Sequence, residues 1–247
     1  MVRFDREADA YDAARPSYPP GLYDLLESIV GPLADQEVLD CGAGTGVASR
    51  QLSDRQAAVT ALDPGVEMLR RAVARTPGMR TVVADAAAIP LKSSCVDLVC
   101  FAQSWHWVEQ ATGANEAARI LPPGGWWAAW WSHAWADGDA WFEEYWDLLE
   151  RSCPGVSRAQ RNVDWAHQTV ADHESFQPPE RHIVPWVREV SVRSWVTELT
   201  SHSYVIAMAP ADRHRLLIAV EGTLRRWFPD GQMLVPHQTR LWLARRD

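Results

Sequence analysis

The chain has 247 residues, of which 47% are hydrophobic and 23% are charged, so it is not an intrinsically disordered protein and can bury one substantial core. Its formal net charge is −8 at pH 7, and its pI is near 5.5. A surface of that sign repels phosphate backbones, so nucleic acid is not an expected partner.

The first residues carry acidic side chains where a secretory signal needs an apolar run, and no later stretch reaches the roughly 18 apolar residues of a membrane span. We therefore expect a soluble, cytoplasmic protein with no membrane partner, either a monomer or a homodimer. No two cysteines have CxxC spacing, and Cys41, Cys95 and Cys100 lie at or beside predicted strands. Buried, reduced thiols are expected, with no metal site.

Strand and helix patterns alternate from residue 37 to residue 131. Strands are predicted over 37–41, 57–62, 80–84, 96–102 and 126–131. Helices are predicted over 47–54, 65–75 and 108–121. This alternation predicts βαβ units, hence an α/β, Rossmann-like, doubly wound and mostly parallel sheet with helices on both faces.

After residue 131 the alternation stops. The predicted elements are an amphipathic helix over 137–151, an irregular segment over 152–177, a strand over 182–190, a helix from an N-cap at Ser191 to about Met208, a helix over 212–228 and a strand over 237–244 opened by Pro236. We interpret the chain as a single domain with four parts. These are an N-terminal helical cap (1–35), a cofactor-binding core (36–131), a helical insertion after the fifth strand that forms a substrate lid (132–180), and C-terminal strands and helices (181–247).

The segment 38–46 (VLDCGAGTG) is the strongest sequence signal. Glycines at 42, 44 and 46 allow a sharp turn and a close approach of the backbone to a ligand. Nicotinamide-binding folds have a similar turn, but with GxGxxG spacing instead of GxGxG. A carboxylate at Asp40, at the base of this turn, would oppose a pyrophosphate and favour the ammonium and sulfonium groups of S-adenosylmethionine.

Two further acids end predicted strands, where ligands bind in sheets of this kind. Asp63 is placed to accept hydrogen bonds from ribose hydroxyls, although it also fits the N-cap of the next helix. Asp85 could accept a hydrogen bond from an adenine amino group, with the amide of Ala86 facing a ring nitrogen. Taken alone, Asp85 also fits an exposed loop residue.

Five segments in order, VLDCGAGTG, ALDPGVEML, VVADAAAIPL, VDLVCFAQSWHWV and ARILPPGGWW, resemble the motifs of class I S-adenosylmethionine-dependent methyltransferases. The resemblance is nearest to the methyltransferase type 11 group, which includes trans-aconitate methyltransferase-like enzymes, and covers about residues 4–131. It implies a seven-stranded sheet, S-adenosyl-L-methionine as cofactor and S-adenosyl-L-homocysteine as product. The cofactor-binding residues expected on this basis are Tyr11, Arg15, Asp40, Gly42, Ala43, Gly44, Asp63, Pro64, Met68, Asp85, Ala86 and Gln103.

His106 follows the fourth predicted strand and is the candidate catalytic residue. It could act as a general base for a hydroxyl, orient a carboxylate, or simply form part of the site wall. Nine of the 14 tryptophans lie between residues 105 and 146. As a set they predict a pocket for a small, apolar or aromatic acceptor, methylated on oxygen. The expected pocket residues are Trp105, Trp107, His133, Trp135 and Trp141.

Two other functions remain open from the sequence. The glycine turn is shared with nicotinamide-dependent oxidoreductases. The lack of a convincing catalytic residue also fits a protein that binds S-adenosylmethionine without transferring its methyl group.

Overall fold

A computed structural model describes residues 17–247 and contains seven strands. In chain order they are β1 (Glu37–Cys41), β2 (Ala58–Asp63), β3 (Arg80–Val83), β4 (Leu98–Ala102), β5 (Trp126–Ala134), β6 (Glu180–Ser191) and β7 (Gln232–Arg245). They form one sheet in the order β3-β2-β1-β4-β5-β7-β6. The predicted α/β, Rossmann-like fold with a seven-stranded sheet is confirmed.

The first five strands run parallel to one another. Val38 of β1 pairs with Val59 of β2 on one side and with Leu98 of β4 on the other. β7 runs antiparallel to β5, because the amide of Arg246 bonds to Gly125 O at one end while the amide of Trp135 bonds to Pro236 O at the other. The carboxyl ends of β1, β2 and β4 therefore meet at one edge of the sheet.

Nine α-helices occur among residues 17–247. They are α1 (Pro20–Val30), α2 (Val47–Ser53), α3 (Val66–Arg75), α4 (Gln110–Ile120), α5 (Ala140–Ser152), α6 (Gln168–Ala171), α7 (Val192–Leu199), α8 (Ser203–Ile206) and α9 (Pro210–Trp227). Two single turns of 3₁₀-helix cover Trp105–Trp107 and Arg158–Arg161. In this part of the chain, no helix has the length and apolar character needed to cross a membrane.

The described residues divide into two compact units. The larger contains Ser17–Ser132, Val163–Val184 and Thr239–Asp247, and the smaller contains His133–Asn162 and Pro185–Gln238. The interpretation of the chain as a single domain with a lid stays a prediction.

The larger unit has two hydrophobic clusters supplied by alternate residues of the same strands. Leu39, Phe101 and Trp127 belong to one cluster, whereas Val38 and Trp130 belong to the other. Because side chains along a strand alternate between the two faces of a sheet, each face carries its own core. The central strands are thus buried on both sides, as their apolar sequences predict.

The smaller unit has a separate core built mainly on α5 and α9. Phe142, Tyr145 and Leu149 of α5 are buried at spacings of three and four residues, which places them on one helix face. Leu216 and Val220 of α9 belong to the same cluster. The amphipathic helix expected after the fifth strand is therefore present and forms core.

Several predicted details are wrong. Pro236 lies inside β7 and does not open it; it lacks an N–H, but its carbonyl accepts the bond from Trp135. The helix from Ser191 ends at Leu199, where the Thr200 hydroxyl donates to the carbonyl of Thr197 and so competes with the helical backbone.

The N-cap at Ser191 is confirmed, because its Oγ accepts a hydrogen bond of 3.0 Å from the amide of Ser194. All four cysteines are free thiols, as expected. Cys95 is exposed, however, and not buried as predicted. It precedes β4 in a turn, so it lies outside the strand that buries Cys100.

Candidate cofactor site

The glycine turn between β1 and α2 adopts the left-handed backbone that its sequence predicts. Gly42, Gly44 and Gly46 have φ values of +69°, +56° and +79°, which other residues adopt only with strain. The amides of Gly42 and Ala43 both donate to the carbonyl of Leu62, at 2.8 and 3.0 Å. These two hydrogen bonds hold the turn against the end of β2.

Gly42 is restricted by space as well as by conformation. A Cβ at this position would lie 2.5 Å from the Cβ of Ser104. Ser104 is buried, and its hydroxyl donates to the carbonyl of Cys41 at 2.5 Å. Sequence reasoning missed Ser104; the available signal was a small residue two positions after the fourth strand, between Gln103 and Trp105.

Gly44 has open space where Gly42 has a neighbour. A Cβ built on Gly44 would meet no atom of the described chain within 4 Å. The outer side of the turn can therefore be approached closely by a ligand. In Gly46 the corresponding Cβ would lie 3.0 Å from Ala72, so this glycine permits the packing of α2 and α3.

Asp63 links the end of β2 to the glycine turn. One carboxylate oxygen accepts from the amide of Gly44 at 2.9 Å, and the other accepts from the amide of Gly65 at 2.7 Å. The N-cap of α3 is Gly65, so the alternative that Asp63 is that N-cap is wrong. Because a carboxylate accepts up to about four hydrogen bonds, these two remain compatible with binding of ribose hydroxyls.

Asp40 lies completely buried beneath the turn. Its carboxylate accepts a hydrogen bond of 2.6 Å from Ser49 Oγ of α2, and Cys100 Sγ lies 3.8 Å away. Burial raises the pKa of Asp40 to about 6, opposed by the bond from Ser49 and increased by the charge of Asp63. A completely buried carboxylate that has hydrogen-bond donors but no cation beside it among the described residues is unfavourable for folding and is common at functional sites.

Four further expected cofactor residues, Pro64, Met68, Asp85 and Ala86, lie in the same unit but show less specific features. Asp85 is exposed and accepts from the amide of Ala87 at 2.8 Å, as in a turn. Ala86 and Met68 are buried, and Pro64 is exposed.

Gln103 directly follows β4 with a φ of +54°, and its amide donates to Trp130 O at 2.8 Å. Strained backbone of this kind is common at functional sites. Tyr11 and Arg15 lie outside the described residues. The roles in cofactor binding expected for the whole set stay predictions.

The expected acceptor-pocket residues do not share one environment. Trp105 is completely buried between the rings of Phe101 and Trp127, at centroid distances of 4.6 and 5.3 Å. It therefore forms core, and its expected place on an open pocket wall is not observed. Trp107, by contrast, is 60% exposed.

The other three expected pocket residues belong to the smaller unit. Trp141 is buried there against Phe142, at a centroid distance of 5.1 Å, which is core packing. The ring of Trp135 lies 4.8 Å from the guanidinium of Arg161. His133 is half-buried. The acceptor pocket stays a prediction.

His106 is exposed in the 3₁₀ turn that follows Ser104. The indole Nε1 of Trp131 donates to His106 Nδ1 at 3.3 Å, and the ring of Trp107 lies 4.9 Å from the imidazole. The candidate catalytic residue lies two positions along the chain from Ser104, whose Cβ faces Gly42 of the glycine turn.

Comparison with known proteins agrees with this geometry. A family model described as a methyltransferase domain, of the type 11 group, matches residues 39–129. An uncharacterized methyltransferase of Mycobacterium bovis is 34% identical over 230 residues, covering 90% of this chain and 88% of the relative. The chain belongs to the class I S-adenosylmethionine-dependent methyltransferase superfamily.

Two further relatives define how far the similarity extends. A solved structure from Anaeromyxobacter dehalogenans, provisionally assigned as a type II methyltransferase, has a TM-score of 0.70 and 26% identity, covering 94% of this chain and 97% of that one. A malonyl-[acyl-carrier protein] O-methyltransferase of Pseudescherichia vulneris is 34% identical over 123 residues, or 49% of each chain. The methyltransferase similarity therefore covers both units, whereas the similarity to the malonyl-[acyl-carrier protein] O-methyltransferase covers half the chain.

Proposed function

We propose that this methyltransferase uses S-adenosylmethionine to methylate an oxygen atom of a small acceptor molecule. The observation that carries the proposal is the open position at Gly44 beside the carboxylate of Asp63. Backbone can approach a ligand there, and an acid stands at the tip of β2, where ribose hydroxyls bind in sheets of this kind.

The charges of the site also fit this cofactor. Asp40 and Asp63 place two carboxyl groups next to the turn, and the charge of Asp63 disfavours ionisation of Asp40. A cationic ligand relieves that repulsion, whereas a pyrophosphate increases it. The site therefore favours the ammonium and sulfonium groups of S-adenosylmethionine over a nicotinamide dinucleotide.

When bound, S-adenosylmethionine supplies an electrophilic methyl group. The acceptor oxygen forms a bond to the methyl carbon, and the electron pair of the broken carbon–sulfur bond stays on sulfur. The protein residues contribute chiefly by positioning, which can supply about 7–11 kcal/mol of the barrier. Gly42 and Gly44 shape the turn, and Asp63 holds it against β2. A residue that removes a proton is needed only when the acceptor oxygen carries one.

Oxygen is favoured as the methylated atom by the relative from Pseudescherichia vulneris, which is named as an O-methyltransferase. A small acceptor is favoured by the net charge of −8, which disfavours polyanionic nucleic acid. Exposed Trp107 beside His106 offers an aromatic surface for an apolar portion of the acceptor.

Transfer of a labelled methyl group from S-adenosylmethionine to a panel of small carboxylic acids, phenols, alcohols and amines tests the proposal. We expect labelled methyl esters or ethers, and a loss of labelling at subsaturating cofactor in the variant Asp63→Ala. Binding of S-adenosylmethionine without transfer to any acceptor would instead support the non-methylating alternative. Reduction of a nicotinamide cofactor would support an oxidoreductase.

A further inference from the structure

We propose that Trp131 is a positioning residue that fixes His106 in the Nε2–H tautomer, so that His106 donates a hydrogen bond to the acceptor oxygen. Its catalytic consequence rests on the proposed function, whereas the tautomer itself is a property of the folded protein. The contact that carries it is the 3.3 Å hydrogen bond from Trp131 Nε1 to His106 Nδ1.

The chemistry of the two rings determines the direction of this bond. An indole Nε1–H only donates, and it has no acceptor lone pair. The His106 nitrogen that faces it must therefore present a lone pair. Since a neutral imidazole carries one N–H, the hydrogen of His106 is on Nε2.

Trp131 is well placed to impose this choice. It is 3% exposed within β5, and the ring of Trp165 packs edge-on against it at a centroid distance of 6.0 Å. His106 is held in turn by Trp107, whose ring is tilted against the imidazole at 4.9 Å. The donor is thus part of the core, while the imidazole it orients is exposed.

This tautomer favours one of the two catalytic roles that the sequence left open for His106, which are a general base for a hydroxyl and the orientation of a carboxylate. An Nε2–H can donate to an oxygen but has no lone pair with which to remove a proton. Protonation at Nδ1 would place two donors face to face and break the bond from Trp131. His106 is therefore suited to an acceptor oxygen that is already ionised.

A carboxylate meets this requirement. One of its oxygens accepts from His106 Nε2–H, and the other forms the bond to the methyl carbon while the carbon–sulfur electron pair stays on sulfur. No proton moves in this step, and the products are a methyl ester and a thioether. The inferred acceptor class is therefore carboxylic acids, whereas alcohols need a base that His106 does not supply.

Long-range ¹H–¹⁵N correlation NMR of the full chain tests the tautomer directly. The His106 signals are identified by their absence from His106→Gln. We expect the Nε2–H pattern in the wild-type protein and in Trp165→Phe, a matched control that keeps the indole of Trp131. Trp131→Phe is expected to show a mixture of tautomers. An Nδ1–H pattern in the wild-type protein would overturn the proposal, even if Trp131→Phe does not fold.

Kinetics test the donor role separately. The amide of glutamine can donate from near the Nε2 position but is not a base, so His106→Gln should keep turnover within about threefold of wild type. His106→Ala should raise the KM for a carboxylate acceptor about tenfold without changing the Kd for S-adenosylmethionine, as the loss of one hydrogen bond to a charged group predicts. Equal losses in both variants would overturn the donor role.

The two proposals fail in different ways. If no methyl group is transferred to any acceptor, the proposed function fails, while the NMR result still decides whether Trp131 fixes the tautomer. If transfer occurs only to alcohols or phenols, the methyltransferase proposal stands and the inferred role of His106 is wrong.

Discussion

Charged side chains in the two compact units illustrate two different environments. In the larger unit, Asp40 is completely buried and accepts hydrogen bonds from Ser49, with the Cys100 thiol nearby, while the charge of Asp63 disfavours its ionisation. In the smaller unit, two arginines with little exposure each have an acidic partner. Arg188 pairs with Glu198 at 2.6 Å, and Arg161 pairs with Asp137 at 2.7 Å.

This difference indicates which part of the chain holds a buried charge without an oppositely charged partner. In an ion pair, the attraction between the two charges offsets part of the cost of their desolvation, whereas a buried carboxylate with no cation beside it keeps that cost until a cationic ligand binds. The proposed cofactor site therefore lies in the larger unit, and we assign the two ion pairs of the smaller unit to its fold.

The largest effect is expected for Gly42→Ala. The added Cβ would lie 2.5 Å from Ser104, in a backbone with a φ of +69°, so we expect a loss of about 2–4 kcal/mol in stability and at least about a hundredfold loss in cofactor affinity. Urea unfolding and calorimetric titration measure the two effects.

Gly44→Ala is the matched control. Its φ is also left-handed, but its Cβ would meet no neighbour, so we expect about 1 kcal/mol of destabilisation together with weaker cofactor binding. Equal destabilisation by the two substitutions would show that contact with Ser104 does not restrict the turn. Adding Ser104→Gly to Gly42→Ala should recover part of the lost stability.

Asp63→Ala is expected to weaken S-adenosylmethionine binding by about ten- to a hundredfold, as the loss of charge-assisted hydrogen bonds predicts. Asp97→Ala is the control, because its carboxylate also accepts a backbone amide, that of Glu37 at 2.9 Å, but at the amino end of β1. It should leave Kd unchanged. An unchanged Kd in a folded Asp63→Ala protein would limit Asp63 to a structural role.

The affinity for S-adenosylmethionine should increase several-fold between about pH 5 and pH 7. The pKa of Asp40 is raised to about 6 by burial, and a nearby cation lowers it, so binding releases a proton in this range. Asp40→Asn should make the affinity nearly independent of pH, with Asp97→Asn as control. The same pH dependence in Asp40→Asn would assign it to another group.

The carboxyl group of Asp40 should also make the free energy of unfolding depend on pH. Because the pKa of Asp40 is higher in the folded protein than in the unfolded chain, Asp40 stabilises the folded protein at low pH, and this stabilisation is lost as the pH rises through about 6. At pH 8, Asp40→Asn should therefore be more stable than wild type, by up to about 3 kcal/mol in urea unfolding. An Asp40→Asn variant that is less stable than wild type at pH 8 would contradict the destabilisation that we assign to the buried charge of Asp40.

His237 is the counterpart in the smaller unit, and its effect should be confined to acid stability. Burial lowers the pKa of His237 to about 4, and its Nδ1 lies 2.9 Å from Val235 O. The folded protein should therefore lose up to about 3 kcal/mol relative to His237→Asn as the pH falls from about 6.5 to 4. Unfolding at several pH values tests this, with the exposed His214→Asn as control; parallel curves for wild type and His237→Asn would contradict it.

The sequence predicted best what the backbone requires locally. Gly42 and Gly44 mark a left-handed turn, and the apolar runs of β1 and β4 mark strands buried on both faces. These signals depend on neighbouring residues, so the parallel sheet and its glycine turn could be predicted.

What depends on packing between distant residues could not be predicted. Ser104 restricts Gly42 from 62 positions along the chain, and the burial of Trp105 depends on where Phe101 and Trp127 place their rings. The bond from Trp131 of β5 to His106, which lies in the 3₁₀ turn after β4, likewise joins residues 25 positions apart. A tryptophan-rich sequence does not distinguish core rings from pocket rings, because both are large and apolar.

Calorimetric titration of the wild-type protein with S-adenosylmethionine, and separately with a nicotinamide dinucleotide, tests the central claim most directly. We predict saturable binding of S-adenosylmethionine at one site per chain and no binding of the dinucleotide at the same concentrations. Binding of the dinucleotide alone would contradict the cofactor site assigned to Asp40, Gly44 and Asp63.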